Sequence, residues 1–226
     1  MPKTESKEPA RGRGRIPLIN TESIERSVGK IVGSGVELTM HGVATELGVN
    51  VTTLYRHTGG LDGLRRIYAH QVSDNVGADP SAVGKTWREW LMDLAEFYRA
   101  AFLQNPDLLK YAQAALDPEF QRLERATKLL VDYGFSAREA VRAHAFLVNN
   151  VVGYVHQELQ TIAQSNLGIT PTYSRLSDIL QKGSDQLPTL SELKLDDDDL
   201  DRDANFHYFI RYAIEGIAMH ANQSDD

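Results

Sequence analysis

The sequence predicts an all-α chain with a small N-terminal helix-turn-helix domain and a larger helical body, and three observations predict it. The first is the stretch from Leu38 to Leu64, where two short helical patterns meet at Gly48-Val49-Asn50 and the second carries Thr52-Thr53-Leu54-Tyr55-Arg56-His57. That is the layout of a helix-turn-helix DNA reader. The second is the punctuation beyond Leu64, where capping residues and breakers separate one apolar helical pattern after another. The third is charge. Residues 1–70 hold ten Lys or Arg against seven Asp or Glu, net +3, and residues 71–226 hold fourteen against twenty-four, net −10. The overall −7 therefore conceals a basic end suited to DNA and an acidic body that the duplex repels.

The first helix is expected from Thr21 to Ser34, with Asn20 as its cap and Ile24, Val28, Ile31 and Val32 as its buried stripe. Gly33-Ser34-Gly35 ends it; no strand precedes these glycines and no G-x-G-x-x-G follows, so they are not a nucleotide loop. In the reader, Val43, Ala44, Leu47 and Leu54 close a small core, and Gly48 supplies the positive φ that ends the preceding helix abruptly. Asn50 then caps the reading helix. Val51, Thr52, Thr53, Tyr55, Arg56 and His57 are left facing outward. Hydroxyls and a phenol bond phosphates or base edges, methyl groups meet thymine methyls, and arginine forks onto guanine or phosphate.

A fourth helix is expected over Leu61 to Asn75. Thr86-x-x-Glu89 is a capping box that opens a helix to about Gln104, and Asn105-Pro106 and Asp117-Pro118 each pair a cap with proline at the first helical position. Gly134 stops the Pro118 helix, Ser136-x-x-Glu139 caps the next to about Gln164, and the last helix spans roughly Leu200 to Ala221. Between them, Leu167 to Leu195 is rich in Gly, Pro, Ser and Thr, and reads as a mobile loop with one short helix near Ser174 to Gln181. The expected organisation is a flexible basic arm at 1–19, a DNA-binding domain at 20–66 and a body at 67–226 that contains the 167–195 loop. In the arm, Arg11, Arg13 and Arg15 alternate with glycine, a composition that suits the narrow minor groove of A·T tracts.

Ala44-x-x-Leu47-Gly48-Val49 followed by Leu54-Tyr55-Arg56-His57 resembles the signature of the Tet repressor (TetR/AcrR) family of bacterial transcriptional regulators, over Asn20 to about Leu64. The resemblance implies an N-terminal three-helix helix-turn-helix DNA-binding domain, then a helical ligand-binding and dimerisation domain, and repression relieved by a small molecule. It places Thr39 and His41 beside the reading helix as further DNA contacts. His41 stands where relatives often carry arginine, Thr58 where an aromatic is usual, and Leu61 where a phosphate-gripping lysine commonly opens the fourth helix. The backbone N–H of Gly60 is then expected to take over the phosphate at that helix start. The alternative is a helical adaptor of the same fold that has lost DNA binding.

A palindromic operator read by a homodimer is expected, because two readers on a two-fold axis gain the specificity that one lacks. Val141, Ala145, Val148, Val152 and Val155 share one face of the Ser136 helix, and Phe206, Phe209, Ile210, Ala213, Ile214 and Ile217 share a broad face of the last. These are the expected dimer interface. The effector pocket, implied mainly by the resemblance, is assigned to Trp90, Leu94, Phe97 and Tyr98, closed by Tyr111, Phe120 and Thr127, with His144 and Asn149 as polar fixers. Such a pocket suits a small, largely apolar or aromatic effector.

No enzyme is expected. Gly84-Lys85-Thr86 lacks the first glycine of a P-loop because Asp79 stands there, and no nucleophile, base and orienter come together. No metal or cofactor is expected either: the histidines form no ligand motif, and Asp196 to Asp199 lacks calcium-loop spacing. The chain has no cysteine, no signal-peptide pattern and no apolar run of about eighteen residues, so a cytoplasmic protein without membrane partners is expected.

Overall fold

The computed structural model describes residues 19–111, 117, 119–182, 186–193 and 197–221, and all of them are helix, turn or loop. The chain is all-α. It divides into two compact units, the first ending at Leu64 and the second beginning at Arg65.

In the first unit, α1 (Thr21–Gly33) begins where Asn20 Oδ1 accepts the Ser23 N–H at 2.8 Å and Ser23 Oγ accepts the Asn20 N–H at 3.1 Å. Its expected stripe is the buried one: Val28 is wholly inaccessible and Ile24, Ile31 and Val32 nearly so. α2 (Met40–Leu47) is capped by Thr39, whose Oγ accepts the Gly42 N–H at 3.0 Å, and ends at Gly48 with φ 66°. α3 (Val51–Thr58) follows after the three-residue turn Gly48-Val49-Asn50, and Leu38, Val43, Ala44, Leu54 and Leu64 complete the core. Lys30 reaches Glu46 on the surface between α1 and α2. α4 (Leu61–Val76) contains the boundary between the units.

The second unit is built on α5 (Trp87–Gln104), α7 (Gln121–Asp132), α8 (Ala137–Asn166) and α11 (Arg202–His220), with α8 packed against each of the other three. Leu91, Leu94 and Phe102 of α5, Leu147, Val151 and Val155 of α8, and Phe206 and Ile210 of α11 are its innermost side chains. The shorter elements are α6 (Asp107–Tyr111), α9 (Thr172–Lys182), a 3-10 turn (Leu190–Glu192) and α10 (Asp197–Leu200). Thr86 and Glu89 form the expected capping box, and Ser136 Oγ accepts the Glu139 N–H at 3.2 Å to open α8. Two caps differ from expectation. α7 starts at Gln121 after Phe120 in the left-handed region, φ 57°, and Asp117 caps it from a distance, its carboxylate accepting the N–H groups of Arg122 and Leu123 at 2.9 and 2.8 Å. The final helix is split, because Asp201 caps a fresh start by accepting the Ala204 N–H at 2.8 Å.

The dimer face expected on α11 is corrected. Phe206, Ile210, Ala213, Ile214 and Ile217 are all 7% exposed or less, because α5 and α8 of the same chain cover them. Helical spacing identifies an apolar stripe but not which neighbour takes it. Phe209, expected in the same stripe, is 39% exposed, and with Tyr208, Tyr212 and Met219 it is among the apolar and aromatic residues that α11 leaves outward. On α8 most of the expected face is outward: Val141 and Ala145 are exposed and Val148 and Val152 half-buried, whereas Val155, expected with them, is wholly buried in the core beside Leu147 and Val151.

Candidate DNA-reading face and ligand cleft

α3 is held from within and exposed on its outer side. Leu54 is wholly buried, and Asn50 Oδ1 accepts the Thr52 N–H at 3.0 Å and the Thr52 hydroxyl as well. Val51, Thr52, Thr53, Tyr55, Arg56 and His57 are all exposed, as are His41 on α2 and Asn50 itself. Thr39 is half-buried and its oxygen is committed to capping α2. Arg11, Arg13 and Arg15 lie outside the described residues.

The phosphate role expected of Gly60 is corrected. Its N–H donates to Thr58 Oγ at 3.2 Å, Gly60 is buried, and the same hydroxyl donates to the Leu54 carbonyl at 3.1 Å. Thr58 therefore ties the end of α3 to the start of α4, an internal task that an aromatic at this position could not perform. Gly60, at φ 114°, also lies under the Tyr55 ring, where an added Cβ would come within 3.1 Å of the ring carbon. Gly63 is tighter still: a Cβ there would fall 1.7 Å from the Thr58 carbonyl oxygen. Sequence reasoning passed over Gly63, because its need for a bare backbone arises only from the approach of α4 to α3.

In the second unit, a cleft of about 480 Å³ opens beside α5, α7 and the 78–82 segment. Trp90, Leu94 and Tyr98 line it from α5, and Ala126 and Leu129 from α7. Trp90 is fixed by donating to the Pro80 carbonyl at 3.1 Å. Behind the cleft, Tyr98 Oη and His144 Nε2 share a hydrogen bond of 3.0 Å. Burial pushes the His144 imidazole below its ordinary pKa and the Tyr98 phenol above its own. As pH falls below about 6.5, the unfolded chain takes up a proton that folded His144 refuses, so stability falls with pH. Urea midpoints across this range are expected to fall more steeply for the wild type than for His144→Gln; parallel curves would count against the assignment.

The cleft wall carries a charged clasp. Arg122, 6% exposed, pairs with Asp79 through Nη1 and donates through Nη2 to the carbonyls of Gly77 at 2.8 Å and Ser73 at 3.4 Å. Its guanidinium lies 5.1 Å from the Phe97 ring centroid. Arg125 takes the other Asp79 oxygen through Nε and Nη2 at 3.0 and 2.9 Å. Neither Arg122 nor Asp79 was marked as a site residue by the sequence, since the two are 43 positions apart.

Of the ligand residues expected from the sequence, Trp90, Leu94 and Tyr98 line the cleft, Phe97 lies against Arg122, and His144 backs Tyr98. Thr127 is half-buried, and its inaccessible hydroxyl has no hydrogen-bond partner among the described residues. Two are corrected. Phe120 is 62% exposed because it occupies the left-handed turn before α7, and Asn149 is exposed because it follows the outward face of α8. Asn150, next to it, folds its amide back onto the Phe146 carbonyl at 2.8 Å. The Tyr111 side chain lies outside the described residues. Among the described residues, no group of three or more His, Cys, Asp or Glu could hold a metal ion, and no helix is long and apolar enough to cross a membrane.

The family model "Tetracyclin repressor-like, C-terminal domain" matches residues 79–220. No curated relative matches the sequence. Among solved structures, ligand-free ActR from Streptomyces coelicolor aligns with a TM-score of 0.69 at 19% identity, over 91% of this chain and 99% of that one. ActR in complex with actinorhodin gives 0.68 at 20% identity over 91% and 99%. TetR from Acinetobacter baumannii AYE gives 0.59 at 20% identity over 91% and 100%. At these identities the likeness is one of fold.

Proposed function

The chain belongs to the tetracycline-repressor-like family of transcriptional regulators, and on that premise we propose that it is a homodimeric repressor that binds a palindromic DNA operator and is released by a small effector. The DNA-binding part is residues 20–66 with the arm at 1–19, and residues 67–226 bind effector and partner. One observation carries this reading. Six side chains of DNA-contacting type, Val51, Thr52, Thr53, Tyr55, Arg56 and His57, are exposed on one short helix that Leu54 and the Asn50 cap hold rigidly. The outward apolar face of α8 with Tyr208, Phe209 and Tyr212 of α11 supports the dimer. The cleft beside Trp90, Leu94 and Tyr98 supports an effector with an apolar or aromatic body.

A salt titration tests the DNA reading. Affinity for duplex should fall linearly in log salt as counterions are released. Removing residues 1–15 should weaken binding and lower that slope by roughly one for each phosphate the arm no longer neutralises. Binding unchanged across the salt series in the shortened chain would make the arm a solvated tail. A full-length chain that binds no duplex at low salt would instead favour the adaptor, with the substitutions at His41, Thr58 and Leu61 as its cause.

A further inference from the structure

We propose that the cleft accepts an aromatic or otherwise apolar anion, whose negatively charged oxygen is received by Arg125. This rests on the reading of the cleft as the effector site and adds the chemical class of the effector. The cleft is lined by three cations, Arg122, Arg125 and Lys128, against two carboxylates, Asp79 and Asp132, in a region of the chain that is otherwise strongly acidic. Lys128 and Asp132 face each other at 3.4 Å, both well exposed, and offset one another. Asp117, outside the lining, spends its carboxylate on the N–H groups of Arg122 and Leu123 that open α7. The remaining carboxylate of the lining, Asp79, is shared between two guanidiniums. That trio carries a net positive charge beside an apolar floor.

The donor allocation indicates which ligand charge fits. Both Asp79 oxygens are engaged by arginine, so a cationic ligand would find no acceptor there and two guanidiniums behind it. A neutral ligand would cover the cationic trio and remove water from it without offsetting its charge, which costs free energy. An anion does offset it. The Arg125 side chain is 57% exposed, and its described bonds to Asp79 use Nε and Nη2, which leaves Nη1 to meet an incoming oxygen. Arginine recognises planar carboxylates through paired, charge-assisted hydrogen bonds. The aromatic body would lie against Pro80, Ala82 and Leu129, the half-buried apolar residues of the lining in front of Trp90 and Leu94, and the cleft volume of about 480 Å³ suits a molecule of one or two fused rings.

Isothermal titration calorimetry of the full chain with 2-naphthoate and with 2-naphthamide, nearly the same shape with and without charge, tests the proposal. Naphthoate is expected to bind the wild type about tenfold more tightly than naphthamide. Arg125→Gln, a change at a largely exposed side chain, should bring the ratio of naphthoate to naphthamide affinity close to one. Asp79→Asn removes the competing carboxylate and should strengthen naphthoate binding, a gain that a merely structural role for Asp79 would not give. Equal affinities in the wild type, no binding of either probe at millimolar concentration, or a folded Asp79→Asn chain with unimproved naphthoate affinity would each overturn the proposal. Duplex binding measured on the same preparations separates the two ideas. A chain that binds DNA without preferring naphthoate refutes the ligand class alone, and one that prefers naphthoate without binding DNA refutes the regulatory reading alone.

Discussion

Replacing Gly63 by alanine is expected to destabilise the N-terminal unit by on the order of 3 kcal/mol and to abolish high-affinity DNA binding. The methyl group would sit 1.7 Å from the Thr58 carbonyl oxygen, and that neighbour is backbone, so no side-chain rotation relieves the clash. Either α4 must retreat or the last turn of α3 must open. Both disturb the Thr58 hydroxyl bonds to Leu54 and Gly60 that join the two helices, and with them the orientation of the exposed α3 face. Gly33→Ala is the control: an added Cβ there meets nothing within 4 Å, and Gly33 ends a helix without positive φ. Its effect should be neutral or slightly stabilising. Chemical denaturation and duplex binding of the two variants check this, and a Gly63→Ala chain as stable as the wild type would contradict the packing described.

Arg99→Met is expected to cost about 3–5 kcal/mol, because it leaves the Glu158 carboxylate buried without its partner. Arg99 clasps Glu158 with Nε and Nη2 at 3.0 and 2.8 Å, reaches Asp203 with Nη1 at 2.7 Å, and lies 4.6 Å from the centroid of the Phe206 ring. It thereby joins α5, α8 and α11. The Glu158 hydrogen bonds hold the guanidinium above its already high ordinary pKa, and the Glu158 side chain is only 5% exposed. The double variant Arg99→Met with Glu158→Leu should recover most of the loss, since the buried charge leaves with its partner. Urea unfolding of the set measures both effects. A double variant no more stable than Arg99→Met would show that the ion pair itself, rather than the stranded charge, sets the cost.

The features legible in the sequence were those whose partners are close in the chain. Asn20, Thr86 and Ser136 announce their helices because a cap and its N–H lie three positions apart. Gly48 and Asn50 mark the turn of the reader for the same reason. Phe120 defeats the rule, since the Asp117-Pro118 pair promised a start that the chain delays to Gln121 while Asp117 still supplies the cap. Helical spacing found the α11 stripe but assigned it to a second subunit, and the intramolecular packing of α5 and α8 against it has no local signature. The clasp of Asp79 with Arg122 and Arg125 was hidden by distance along the chain, and Asp79 stood out only as a residue that spoils a P-loop. Gly60 shows the opposite error. Its N–H looked available in one dimension and is consumed by a hydroxyl two residues away.

The central claim is that α3 reads sequence, and selection from random duplexes with the full chain, followed by footprinting, tests it most directly. Enrichment of a palindrome with two equivalent protected half-sites is expected, with loss of that enrichment when Thr53 and Arg56, both exposed on α3, are changed to alanine. No sequence enriched over the starting pool, or the same palindrome selected by the doubly substituted chain, would contradict it.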